Sequence, residues 1–163
     1  MPIDDTPPLQ QAHSTSRSHN ALLWGLLFAF VLRVLGQATQ HWIPQTFLPP
    51  FSAFQGSRLP YGLLLTLQLA IVSAMAVVCE RVRRGELVPS RRARNILASL
   101  GGIYMACALA RIAVGLELPE APAWFTAWIP AGFHVVLAGF VLTLAAYHHR
   151  QLHRQMTVEA GQP

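Results

Sequence analysis

The chain reads as an all-α membrane protein with four transmembrane helices, and three observations carry that reading. Apolar residues fill 53% of its 163 positions and charged residues only 12%, about half the roughly 25% charged share of a soluble domain. Four apolar stretches are each long enough to cross a hydrocarbon layer of about 30 Å as a helix. The cationic residues are all arginines, and most stand at the borders of those stretches. Hydrocarbon offers the backbone no hydrogen-bonding partners, so each spanning segment must satisfy its own, as a helix does.

Taken in order, residues 1–19 are polar and proline-bearing and read as a disordered cytoplasmic tail. The apolar run beginning at Ala21 follows too long a polar lead for a signal peptide and has no small-x-small cleavage site, so it is read as a retained span. Span one is placed at 20–37, span two at 59–79, span three at 95–116 and span four at 124–147. The membrane domain is then 20–149, followed by a cytoplasmic tail at 150–163.

The connections differ in charge. Between spans two and three stand Arg81, Arg83, Arg84, Arg91, Arg92 and Arg94, with Arg150 and Arg154 after span four. The other two connections hold Arg58, Glu117 and Glu120. The positive-inside bias puts both termini and the middle loop in the cytoplasm, with the protein in a bacterial inner membrane. Ser90 is a candidate cap for span three. The first outer loop interleaves Trp42, Phe47, Phe51, Phe54 and Tyr61 with Pro44, Pro49, Pro50 and Pro60, a composition suited to the membrane interface, where amphipathic rings collect.

Ala98, Gly102, Ala106 and Ala110 recur every four residues along span three. Small residues at that interval let helices approach closely, which makes span three the candidate for the most enclosed helix. A weak internal likeness is also present. "VLRVLG" and "LPYGLLLTL" resemble "LARIAVG" and "IPAGFHVVL", which suggests two helical hairpins arranged as parallel repeats.

Several function classes recede. The net charge of +5 and pI near 10.2 would raise nucleic acid as a partner, but the arginines sit where orientation in a membrane puts them, so none is expected. Cys79 and Cys107 form no CxxC pair, so thiol chemistry has no support. The interiors of spans one, two and three contain no histidine, so a haem held by two facing histidines lacks its ligands and no cofactor is expected. His149 and His153 share a helical face but have no carboxylate or cysteine beside them, so no metal is expected. With no nucleophile-base pair or paired intramembrane carboxylates, an enzyme is not favoured.

What remains is a polar layer. Arg33 on span one and Arg111 on span three fall at similar depths, about one and a half turns from the outer ends, and Gln68 and His134 supply a polar side chain on each of the other spans. An arginine near mid-bilayer costs about 2.5–3.5 kcal/mol on insertion scales. It is offset either by snorkelling to headgroups or by convergence with Gln68 and His134 into a cationic pocket. A guanidinium fork suits carboxylate or phosphate. The function expected first is an accessory or interaction subunit, packing on a membrane-protein partner or on itself through small-residue faces and the aromatic outer loop. The alternative is a binder or transporter of an anionic lipid or small anion through Arg33, Arg111, His134 and Gln68, with lipid modification a third reading.

Overall fold

The computed structural model describes residues 8–54, 59–118, 120 and 123–160 and contains no strand among the described residues. Four long helices are apolar and long enough to cross a membrane: α1 (Pro8–Trp42), α3 (Tyr61–Arg84), α4 (Arg91–Glu117) and α6 (Trp128–Ala160). Two four-residue helices lie in the connections on one side, α2 (Phe51–Phe54) between α1 and α3, and α5 (Ala123–Thr126) just before α6.

The ends of these helices differ from expectation. Helix α1 begins at Pro8, so the expected unstructured tail is helical from that residue on. Leu9, Gln10, Gln11 and Ala12, all good helix formers, then extend the helix at little cost. Helix α6 likewise continues to Ala160, through the segment expected as a separate tail, and begins at Trp128 because the chain breaks at Ala127 after α5. At 1.5 Å per residue, α1 and α6 are each about 50 Å long, which exceeds the hydrocarbon thickness.

The link between α3 and α4 is fixed at both ends. Gly85, with φ of 70°, adopts the left-handed conformation that ends α3, and the Gly85 and Glu86 N–H groups donate to the carbonyls of Val82 and Arg81 at 3.2 and 3.0 Å. Ser90 caps α4 by accepting from the Ala93 N–H at 3.3 Å. The Ser90 N–H in turn donates to Nδ1 of the buried His148 at 3.3 Å, which ties the link to α6.

The helices stand in the spatial order α3, α1, α6, α4. Leu23, Leu27, Phe30 and Val34 form one face of α1, and they meet Met75, Cys79 and Val82 of α3 and Phe140 and Tyr147 of α6. In lipid this packing is stabilised by van der Waals contact rather than by exclusion of water.

The most enclosed helix is α6, with 39% of its apolar window buried against 17% for α4. That corrects the expectation for span three. Ala98, Gly102, Ala106 and Ala110 all face outward, and the residues α4 buries are Gly101, Ala108, Arg111 and Gly115. Gly101 is where α6 approaches closely, since a Cβ there would come within 3.0 Å of Leu142. At Gly115 a Cβ would fall 2.3 Å from the Phe125 carbonyl oxygen, so only glycine admits α5 at that point.

Candidate functional site

Helices α3 and α4 flank a cleft whose floor is formed by α1 and α6. Its volume is about 290 Å³. Hydrocarbon side chains make up most of the wall, among them Phe30, Leu64, Leu67, Ile71 and Leu137, and the polar members are Arg33, Gln68, Tyr104 and His134, one from each long helix. The polar group lies roughly 10–20 Å in from the α2 and α5 ends of the helices at 1.5 Å per residue.

Each polar side chain is held by its surroundings. Arg33 Nη2 donates to the backbone carbonyl of Phe54 at 3.0 Å, and its guanidinium carbon lies 5.2 Å from the centre of the Phe133 ring, within cation-π range. Phe54 is the last residue of α2, where carbonyls have no intrahelical donor. Its buried ring packs beside Gly36 and anchors the α1–α3 connection on α1. Above it, His41, Phe51 and Tyr61 form a ring cluster, with centroids 4.1 Å apart for His41 and Tyr61 and 4.9 Å for His41 and Phe51.

Gln68, 5% exposed, donates through Nε2 to Oε1 of the fully buried Gln37 at 3.1 Å. Tyr104 and His134 share a hydrogen bond between the phenol oxygen and Nδ1. Among the described residues, Arg33 Nε, Gln68 Oε1 and Gln37 Nε2 are buried with no hydrogen-bond partner.

Of the four residues expected to converge, Arg33, Gln68 and His134 line one cleft. Arg111 does not line it. Its side chain is buried, 4% exposed, rather than reaching to headgroups. One of its contacts is a donation from Nη2 to the carbonyl of Ala127, the residue between α5 and α6, at 3.5 Å. Both arginines therefore use a backbone carbonyl in a connection between long helices, Arg33 at the last residue of α2 and Arg111 at the residue that precedes α6.

Sequence reading did not single out three members of the site. Gln37 stood at the expected end of span one, Tyr104 was one apolar-run aromatic among many, and the Phe54 carbonyl is backbone and leaves no trace in composition. The arrangement presents one permanent cation, two amides and a phenol-imidazole pair in a hydrocarbon wall. It can bind an anionic oxygen and orient a hydroxyl group. No acidic side chain lines the cleft, and no group of three histidine, cysteine or acidic residues able to hold a metal occurs among the described residues. Comparison with protein-family models, curated proteins and solved structures gives no match.

Proposed function

We propose that this small multi-pass membrane protein binds an anionic ligand, non-covalently, at the polar layer inside its helix bundle. The observation that supports this reading is the cleft, where Arg33, Gln68 and His134 come from three different helices and Tyr104 from the fourth. A guanidinium in hydrocarbon gains from every acceptor brought to it, and Arg33 has a buried Nε with none among the described residues. Native mass spectrometry from mild detergent tests it. A discrete adduct on the wild type that disappears in Arg33→Leu is the expected result, and a bare mass in both overturns the reading.

The second reading, an accessory or interaction subunit, is favoured by one observation of its own. The face of α4 bearing Ala98, Gly102, Ala106 and Ala110 is uncovered, and Leu100 and Ile103 beside it are 60% and 65% exposed. Small residues of this kind allow helices of two chains to pack closely. Oxidative cross-linking of Ala106→Cys in a Cys107→Ser background gives a covalent dimer if a second copy covers this face. A different membrane protein on the face leaves it monomeric when purified alone.

We place both termini and the α3–α4 link in the cytoplasm of a bacterial cell, because the arginines of that link and those after span four mark the side that is not translocated. The likeness between the segments around Arg33 and Arg111 extends to their shared use of a backbone carbonyl in the following connection, which favours two parallel hairpin repeats.

A further inference from the structure

Resting on the ligand-binding reading above, we infer that the ligand is a single-chain lipid with an anionic headgroup, entering the cleft sideways from the bilayer between α3 and α4. The cleft's size limits what fits. At about 290 Å³ it is at the small end of ligand cavities, which run from roughly 300 to 1,000 Å³. It is several times the roughly 30 Å³ share of a water molecule. A two-chain lipid is too large for it, and an inorganic ion would leave most of it empty.

The wall and the mouth agree with that size. A water-soluble anion gains nothing from Phe30, Leu64, Leu67, Ile71 and Leu137, whereas a hydrocarbon chain meets them at no cost in desolvation. The two lips are not packed together, since α3 and α4 are outermost in the helix order and share no extensive contact. On the α3 lip, Leu59 and Leu67 are 39% and 48% exposed, so the opening is greasy and faces hydrocarbon.

The polar end fits a headgroup. Arg33 Nε and the 95%-buried Gln68, through Oε1, offer one donor and one acceptor without partners among the described residues. An anionic oxygen, which a fatty carboxylate and a phosphate monoester both carry, answers the first, and the acidic O–H of a monoprotonated phosphate monoester answers the second as well. No carboxylate in the lining opposes them.

The test uses the full chain in phosphatidylcholine nanodiscs, with native mass spectrometry reading the fraction carrying a 1:1 adduct. The probes are dodecanoate, dodecyl phosphate, dodecanol and inorganic phosphate. Dodecanoate or dodecyl phosphate is expected to give the adduct, and the preferred one identifies the headgroup. Dodecanol and inorganic phosphate are expected to give none. Removing a charged hydrogen-bond donor weakens binding by roughly 10- to 100-fold, so Arg33→Gln should lose the adduct at that scale. Leu67→Trp, which narrows the mouth and leaves the polar layer intact, should lose it as well and carries the test if Arg33→Gln does not assemble. Equal binding of dodecanol overturns the anionic headgroup, and full binding to Leu67→Trp overturns lateral entry. Binding of inorganic phosphate alone overturns the lipid and leaves the ligand-binding reading standing, while no adduct with any probe overturns both.

Discussion

At the residue scale, Arg33 and Arg111 each reach a backbone carbonyl. Arg33 holds the Phe54 carbonyl and Arg111 the Ala127 carbonyl, so a charge that is costly in hydrocarbon fixes α2 in one connection and the start of α6 in the other. The buried amide pair works differently, because each of Gln37 and Gln68 is the other's only side-chain partner among the described residues. Gln37→Leu leaves the Gln68 amide buried alone and should destabilise the protein by about 1–3 kcal/mol. The double variant Gln37→Leu, Gln68→Leu should recover most of that loss, and thermal melts of the two singles and the double measure it as a coupling energy. Additive losses would show that the amides act independently. Arg33 and His134 were legible in the sequence because charge stands out in an apolar run. Gln37 and Tyr104 were not, since neither type is unusual where it occurs and only the packed structure brings them beside Gln68 and His134.

At the element scale, the four spans were legible from length and apolarity, and their ends were not. Helices continue wherever propensity allows and nothing interrupts them, so polar residues at the end of the bundle away from α2 and α5 extend α1 and α6 past the hydrocarbon. The buried face of α4 was misassigned for a geometric reason. A four-residue interval advances about 40° around a helix at each step at 3.6 residues per turn, so Ala98 to Ala110 winds away from any single neighbour. A seven-residue interval drifts by only about 20°, and Gly101, Ala108 and Gly115 keep to that interval and are the small residues buried on α4. Two alanine substitutions separate these faces. Gly115→Ala would force a Cβ to within 2.3 Å of backbone at Phe125, and it should lower the melting temperature by dislodging α5. Gly102→Ala meets nothing within 4 Å, and it should be neutral or stabilising by up to about 1 kcal/mol. If both variants melt alike, α5 is not seated on α4.

At the scale of the whole molecule, the row α3, α1, α6, α4 leaves its two end helices facing across a cleft instead of closing a four-helix ring. That arrangement gives one membrane domain a solid interior on one side and an opening on the other. Its orientation is measurable with single cysteines in a background lacking Cys79 and Cys107. Phe47→Cys, at an exposed position in the α1–α3 connection, should react with an impermeant maleimide in intact cells if the proposed orientation holds. Gly85→Cys, beyond the end of α3, should react only after the cells are opened. The reverse pattern would invert the bundle and turn its arginine-rich link outward. The use of carbonyls by the two arginines also sets an order of events during synthesis. Phe54 follows Arg33 by 21 residues and Ala127 follows Arg111 by 16, so neither acceptor has emerged from the ribosome when its arginine does. At roughly 5–20 residues per second Arg33 waits about one to four seconds, an interval in which the insertion machinery or the headgroups must shelter it before the nascent hairpin can close over its own charge.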